Sequence, residues 1–217
     1  SPQDPALLEL HARNALAMGD GIAAEASLAK LPEGKRPADF ALLMSEADLL
    51  RGLPDDALTA LGADSSSAAQ RLRGLALLAK EDREGAAKAF ASGAAGKPDA
   101  RLLSDYARFM LMSGDVKQAR ALADRAKAAE PGMIDALLAD AEVATAEGRL
   151  AQALAGYEAA VDAYPGNLAA LAGKAAVLGD LGRTKDMDAV LKALAEVKDG
   201  GHVAYLQARA AAARGDW

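Results

Sequence analysis

The chain has 217 residues, of which 52% are hydrophobic and only 4% aromatic, and its formal net charge is −6. An acidic chain without basic blocks is a poor match to nucleic acid, because phosphate binding needs a surface rich in Lys and Arg. The absence of cysteine excludes disulfides, thiolate catalysis and cysteine-ligated metal. No uncharged apolar run reaches the length of about 18 residues that a membrane-spanning helix needs, and the excess of alanine and leucine favours α-helix.

A short break followed by an alanine-rich segment recurs along the chain. The central residues of these breaks are Gly19, Gly52, Glu81, Gly114, Gly148, Gly182 and Gly215. The spacings between them are 33, 29, 33, 34, 34 and 33 residues. The one outlier is short by about one helical turn, which preserves the face that points inward. We place this shortening in the second half of the second unit, where GADSSS follows Ala57–Leu61.

Each unit is predicted to contain two helices. In the first helix, apolar or small residues lie three, four and seven positions apart, as for Leu137, Leu138, Ala141 and Ala144 of the fifth unit. The Gly of the break then ends this helix, because Gly takes the left-handed C-cap conformation without a steric cost. In the second helix, small and large residues alternate on one face, as for Ala153, Tyr157 and Ala160.

A proline ends several of the second helices, and a capping residue often follows it. The prolines are Pro98, Pro131 and Pro165, and the predicted N-caps of the next helix are Asp99 and Asn167. The run Ser65-Ser66-Ser67 is interpreted as a further N-cap, after the shortened unit. Since no unit can bury its apolar face alone, we expect successive units to pack on one another.

This pattern resembles the tetratricopeptide repeat (TPR) family over essentially the whole chain. On the family's register, the small residue of the first helix is found at Ala12, Ser45, Gly74, Ala107, Ala141, Ala175 and Ala208. The alanine of the second helix is found at Ala24, Ala57, Ala86, Ala119 and Ala153. The chain departs from the family pattern at Glu81, Ala123 and Met187, and it lacks the family's usual Trp in every first helix.

The resemblance implies an all-α fold, a right-handed superhelical solenoid of antiparallel helix pairs with about thirteen helices. We expect a single array over residues 1–217, with repeats at about 5–37, 38–66, 67–99, 100–133, 134–167 and 168–200 and a partial repeat at 201–217. Its last helix, Val203–Ala213, is expected to cap the array or to expose apolar surface. Glu81 either takes the left-handed conformation, at a cost of about 1 kcal/mol, or sits in a turn that is built differently.

The resemblance also implies a partner, because the first helices of TPR arrays line a concave groove that binds extended or helical peptides. We therefore expect a protein or peptide partner, bound by Arg71, Arg101, Ser104, Arg108, Met112, Asp135, Glu142 and Tyr205. Two interpretations of the three arginines stay open. They bind an acidic side chain or a peptide carboxylate, or they pair with neighbouring acids such as Glu46 and Asp105.

The sixth repeat has only small side chains at the positions expected to line the groove. The groove positions there are Ala169, Ala172, Ala176 and Gly179. Small side chains would let a bulky apolar or helical ligand approach closely, or they simply reflect an alanine-rich sequence. The residues with which chaperone-binding TPR proteins clamp a peptide C-terminus are missing from the matching positions, so no chaperone partner is inferred.

No catalytic residue, cofactor or metal site is predicted. His11 and His202 lie about six repeats apart and are not expected to meet. The segment GAAGKP at 93–98 lacks the Ser or Thr that follows Lys in a phosphate-binding loop, and it does not follow a strand. The aromatic residues at helical spacing are expected to pack between helices, and they are Phe90, Tyr106, Phe109 and Tyr157.

The leading hypothesis is a non-enzymatic scaffold for protein–protein interaction. The alternative is a structural module that self-associates through its ends or groove, and a third is a regulatory or enzymatic protein whose chemistry lies outside this chain. The alanine-rich, degenerate repeats resemble those of bacterial TPR proteins, several of which act in envelope assembly behind an N-terminal anchor. This analogy slightly favours the cell envelope over the cytoplasm, and the break inside the seventh unit suggests a piece of a longer protein.

Overall fold

The computed structural model describes residues 4–197, and twelve α-helices lie within them. They are α1 (Pro5–Ala17), α2 (Gly21–Leu28), α3 (Phe40–Leu50), α4 (Pro54–Leu61), α5 (Ser67–Ala79), α6 (Arg83–Ala94), α7 (Ala100–Met112), α8 (Val116–Ala129), α9 (Ile134–Ala146), α10 (Leu150–Ala163), α11 (Leu168–Asp180) and α12 (Thr184–Val197). A short 3-10 helix, Glu33–Lys35, lies between α2 and α3. The described residues contain no strand, so the predicted all-α class is confirmed. The thirteenth predicted helix lies outside them.

Two compact units, which divide after Leu102, make up the described chain. In the first unit, α1 packs with α2, α3 with α4 and α5 with α6, while α2 and α4 each contact the helix that follows them. In the second unit, α9 packs with α10 and α11 with α12, and α8 and α10 contact the next helix. Within each unit, helices therefore pack mainly on their neighbours in sequence, as expected of stacked helix pairs.

The turns inside the helix pairs share one geometry. At the turn between α7 and α8, Gly114 has a φ of 80° and donates its N–H to Leu111 O at 3.0 Å. Asp115 donates its N–H to Met110 O at 2.9 Å, and its side chain accepts from Gln118 N to cap α8. The predicted left-handed glycine is confirmed at Gly19, Gly52, Gly114, Gly148 and Gly182.

Glu81 takes the left-handed conformation, with a φ of 63°, the one described residue other than glycine with a positive φ. Its N–H donates to Leu78 O at 2.9 Å, and the N–H of Asp82 donates to Leu77 O at 2.9 Å. These are the same hydrogen bonds as at Gly114. Of the two alternatives for Glu81, the structure therefore shows the regular turn with a strained residue in it.

The predicted shortening falls on α4, which has 8 residues and ends at Leu61, with Gly62 as its C-cap. Helix α2 also has only 8 residues, and the 3-10 helix that follows it fills the remaining length of the first repeat, a feature that the spacing does not predict. The predicted N-caps are confirmed by hydrogen bonds from the backbone: Asp99 accepts from Leu102 N, Asn167 from Ala170 N and Ser66 from Ala69 N.

The small residues lie where helices approach closely, as predicted. Ala12, Ala107 and Ala175 are fully buried. Gly74 faces the ring of Phe90, and a Cβ atom there would stand 2.7 Å from Cζ of that ring. The four aromatic residues that were predicted to pack between helices, Phe90, Tyr106, Phe109 and Tyr157, are all buried. No helix in residues 4–197 combines the length and the apolar character that crossing a membrane would require.

Candidate partner-binding site

The first helices of successive pairs come together within each unit. Helix α3 contacts both α1 and α5 in the first unit, and α9 contacts α11 in the second. Side chains of consecutive first helices therefore share one surface within a unit. We call this surface of the second unit, formed by α7 from Leu103 onward, α9 and α11, the first-helix face.

Arg108 is the centre of an ion-pair cluster on the first-helix face. Its Nε donates to Glu142 Oε2 at 2.8 Å, and its Nη1 donates to Asp105 Oδ1 at 3.1 Å. Nη2 donates to the main-chain oxygen of Asp135 at 3.4 Å, and Nη1 lies 3.9 Å from Asp135 Oδ1. One arginine of α7 is thereby held by three acidic residues, two of them on α9.

Burial and neighbouring charges act in opposite directions on the pKa values of Arg108 and Glu142. Burial tends to lower the pKa of Arg108, but the charges of Glu142, Asp105 and Asp135 outweigh it and raise that pKa, so Arg108 stays charged. Burial raises the pKa of Glu142 above its ordinary value, although Arg108 acts in the opposite direction. Asp105 and Asp135 raise the pKa of Glu142 further. Three carboxylates share the one arginine, so the cluster has more negative than positive charge although Glu142 is paired with Arg108.

Arg71 and Arg101 lie in the first unit, whereas Arg108 lies in the second. Arg71 on α5 has its Nη2 3.7 Å from Glu46 Oε1 on α3, and its side chain is only 13% exposed. Arg101 is exposed near the start of α7. Pairing with neighbouring acids, the second interpretation of the arginines, is observed for Arg71 and Arg108. The predicted cluster of all three arginines stays a prediction.

The remaining predicted residues differ in their surroundings. Met112 is 60% exposed at the end of α7. Ser104 is fully buried, because it lies one helical turn from the equally buried Ala107 on the packed side of α7. Its hydroxyl therefore does not reach the surface of the described chain. Tyr205 lies outside the described residues.

Helix α11 contributes small side chains to the first-helix face. Ala169 is exposed, Ala176 is half-buried and Ala172 is nearly buried. Lys174 lies on the same helix with its Nζ 3.5 Å from Glu158 Oε1 of α10. A ligand backbone could approach this helix closely, because its side chains at these positions end at Cβ.

A second ion-pair network, which the sequence did not predict, lies between α8 and α9. Arg120 donates to Asp140, to Glu147 at 2.9 Å and to Asp124 at 3.2 Å, and Lys127 donates to Asp140 at 2.7 Å. Burial tends to raise the pKa of Asp140, but Lys127 and Arg120 hold it below its ordinary value. The sequence shows Asp140 as a charged residue on the apolar side of α9. It does not show the partners of Asp140, because they lie on another helix.

Among residues 4–197, no group of three or more His, Asp or Glu side chains is arranged to hold a metal ion. The Arg120 network joins α8 to α9 and leaves Asp140 almost fully buried. We therefore assign it to stability, and we treat the first-helix face as the candidate binding surface.

No protein-family model matches the chain, and no curated protein matches it. Solved structures do match. PilF of Pseudomonas aeruginosa superposes with a TM-score of 0.68 at 16% identity, over 82% of this chain and 84% of that one. A TPR protein of Parabacteroides merdae gives 0.65 at 15% identity, over 98% and 87%. YrrB, a TPR protein with an unusual peptide-binding site, gives 0.57 at 19% identity, over 81% and 94%.

These likenesses establish the fold. At identities of 15 to 19% they extend over most of both chains, and two of the three structures are TPR proteins by description. The chain therefore has the TPR fold, in agreement with the repeat pattern of its sequence.

Proposed function

We propose that this chain, with its TPR fold, is a non-enzymatic scaffold for protein–protein interaction that binds a peptide segment or a partner protein on its first-helix face. The observation that carries the proposal is the Arg108 cluster, which fixes several charged side chains in a partly buried position beside the exposed Met112. Charges that are held before binding favour specific recognition, because little side-chain entropy is lost when the partner docks. The peptide-binding site of YrrB gives this proposal a precedent in the same fold.

The charges of the cluster indicate what the partner supplies. A partner carboxylate would have to displace Asp105 or Glu142 from Arg108. A lysine or arginine would instead offset the excess negative charge of a cluster in which Asp105, Asp135 and Glu142 share one arginine. We therefore assign to the partner a basic side chain that contacts Asp135 and Glu142, with Met112 offering apolar contact. Arg71 and Arg101, which belong to the first unit, stay predicted binding residues.

We also propose a cellular setting for this chain, by analogy with other TPR proteins. The alanine-rich repeats resemble those of bacterial TPR proteins, and the fold matches that of PilF from Pseudomonas aeruginosa. We place the chain in the assembly of a bacterial envelope or secretion complex. Cell fractionation tests this placement, because the native protein should then be recovered with the envelope and not with the cytoplasm.

Site-specific photo-crosslinking tests the binding surface. A benzophenone amino acid at Met112 should crosslink a defined partner in an extract of the source organism, whereas the same group at Gln152 on α10 should not. Gln152 is a matched control because it is also exposed but lies on a second helix. Glu142→Arg should abolish the crosslink from Met112 while helicity is unchanged.

Other outcomes would overturn the proposal. Equal crosslinking from both positions, or crosslinking that Glu142→Arg leaves intact, would place the partner elsewhere. Crosslinks only between copies of the chain, with a solution mass well above 22.1 kDa, would favour the self-associating module.

A further inference from the structure

An open cavity lies between the turn that joins α1 to α2 and the turn that joins α3 to α4. Its volume is about 650 Å³, within the range of roughly 300 to 1,000 Å³ found for ligand pockets. The close approach of the two turns requires glycine at position 21, because a Cβ atom on Gly21 would stand 2.6 Å from Ala47 O and 2.7 Å from Leu50 Cβ. The cavity belongs to the first unit alone, so it is separate from the first-helix face.

The apolar wall of the cavity is unusually exposed. Ile22 on α2 is 72% exposed, and Leu50 at the end of α3 is 46% exposed, although both line the cavity. Exposed large apolar side chains gathered at one concave site mark a binding surface more often than scattered ones do.

The other repeats provide an internal comparison for Ile22. The residue three positions after the central residue of the turn is Ile22 in the first repeat. The equivalent residues in the next five repeats are Asp55, Glu84, Lys117, Ala151 and Lys185. The repeat fold therefore accepts a charged residue or alanine at this position, and nothing in the packing requires isoleucine.

The lining of the cavity also contains a carboxylate that has no basic partner among the described residues. Glu25 lies on α2 one helical turn after Ile22 and is half-buried, and its side chain makes no hydrogen bond or ion pair with any residue that the structure describes. Arg51, the basic residue of the lining, is engaged by the buried Asp48 at 3.0 Å. Asp20 adds a further negative charge to the lining.

We propose that this cavity binds a short segment of a second protein, which places an apolar side chain between Ile22 and Leu50 and a lysine or arginine beside Glu25. Ile22 and Glu25 are neighbours on one helix face, roughly 5 to 6 Å apart, so the two side chains of the partner lie three or four positions apart on a helix. The site goes beyond the proposed function, because it lies on another unit and uses a second helix.

Charge decides between a foreign partner and a second copy. The chain carries a net charge of −6, and a two-fold contact through this cavity would bring the acidic lining of one copy against the acidic lining of the other. A basic partner is attracted to the same lining, and that attraction weakens with salt.

The test uses the whole chain and model peptides as probes. Acetylated, amidated peptides of roughly 12 residues carry one Leu and one Lys three or four positions apart, and matched peptides replace Lys by Glu or Leu by Ser. Fluorescence anisotropy should detect the Leu/Lys peptides with a Kd below about 1 mM and should not detect either replacement. Amide NMR shifts should move at Gly21–Glu25 and at Leu50–Leu53.

Variants then locate the two contacts. Ile22→Ala, which copies Ala151, should weaken binding about tenfold, because it removes most of one apolar contact. Glu25→Lys should reverse the preference, so that the Glu peptide binds and the Lys peptide does not. Glu33→Lys is the matched control, because it makes the same charge change on an exposed residue beyond the other end of α2, and it should leave the preference as it was.

Four results would overturn the inference. They are the absence of binding by every peptide, binding that Glu25→Lys does not alter, shifts confined to α7 and α9, and a dimer that Ile22→Ala dissociates. Crosslinking from Met112 is measured separately and can succeed or fail under each of these results, so the failure of this inference and the failure of the proposed function are distinguishable.

Discussion

Gly173 on α11 lies against the ring of Tyr157 on α10, so closely that a Cβ atom on Gly173 would stand 2.2 Å from Cε1 of that ring. Tyr157 is buried, and burial raises its pKa to about 12. Because Tyr157 is only 6% exposed, its ring has little room to move away. This contact joins the fifth repeat to the sixth and depends on the absence of a side chain at one position.

We expect Gly173→Ala to lower the free energy of unfolding by about 1 to 3 kcal/mol, because overpacking outweighs the better helix propensity of alanine. Gly179→Ala on the same helix is the control, since its Cβ would meet only the flexible side chain of Met187, at 3.1 Å. Urea denaturation should show a loss for the first variant and little change for the second. Equal effects would mean that the close approach to Tyr157 does not matter.

The strained turn at Glu81 predicts a stabilising change. Glu81→Gly should raise the free energy of unfolding by about 1 kcal/mol, because glycine takes the left-handed conformation without the Cβ clash. The reciprocal change, Gly114→Glu, should lower it by a similar amount, since a Cβ atom at Gly114 would meet no other atom within 4 Å and only the backbone conformation is at issue. Thermal unfolding of both variants provides the comparison. Two changes of the same sign would contradict this account.

Ser45 predicts a second gain in stability. Its hydroxyl is fully buried and has no hydrogen-bond partner among the residues that the structure describes, and alanine occupies the equivalent position at Ala12, Ala107, Ala141 and Ala175. Ser45→Ala should raise the free energy of unfolding by about 1 kcal/mol, because an unsatisfied buried polar group is removed.

Ser27 is the matched control for Ser45. Its hydroxyl is also buried, but it donates to Ala23 O at 2.9 Å and lies 2.7 Å from Nδ1 of His11. Ser27→Ala should therefore lose stability in the same denaturation experiment. A loss on Ser45→Ala as well would show that the hydroxyl of Ser45 has a partner in solution.

Two carboxylates on α9 predict opposite pH dependences. Lys127 and Arg120 outweigh burial and hold the pKa of Asp140 below its ordinary value of 3.8, so this residue stabilises the fold above that pH and its contribution is lost in acid. Burial raises the pKa of Glu142 above 4.5, so the folded state binds this proton more tightly than the unfolded state does. Ionisation of Glu142 therefore costs stability as the pH rises from 4.5 through its raised pKa.

Urea denaturation across this pH range separates the two residues. Asp140→Asn should lower stability at neutral pH and reduce the loss in acid, because Arg120 and Lys127 lose their buried partner. Glu142→Gln should leave stability at neutral pH unchanged or higher, since Arg108 keeps Asp105 and Asp135. A loss of more than about 1 kcal/mol for Glu142→Gln at neutral pH would contradict the sign assigned to this residue.

Much of the architecture was predictable from the sequence, because the signals are local. A left-handed glycine, a capping Asp or Asn and a proline each act within a few residues of the chain, so their positions predicted the ends of the helices. The shortened α4 followed from one irregular spacing. The short α2 and its 3-10 helix did not, because the total length of that repeat is nearly regular.

The candidate site was only partly predictable. The positions of Arg108, Asp135 and Glu142 on first helices follow from the repeat register, but their pairing does not. Arg108 and Glu142 are 34 residues apart in sequence and meet because two helices pack. Ser104 occupies a groove position in the register and is nevertheless buried, because it lies on the packed side of α7 together with Ala107.

The sequence by itself determined the repeat period, the helix pairs and the places where helices must approach closely, since these depend on backbone conformation and on side-chain size over short stretches. Only the tertiary structure decided which charge meets which partner, how deeply each is buried and where two distant turns leave a cavity beside Ile22 and Glu25. The reason is physical. Ion pairs, burial and cavities depend on distances between helices that are far apart in the chain, and packing sets those distances.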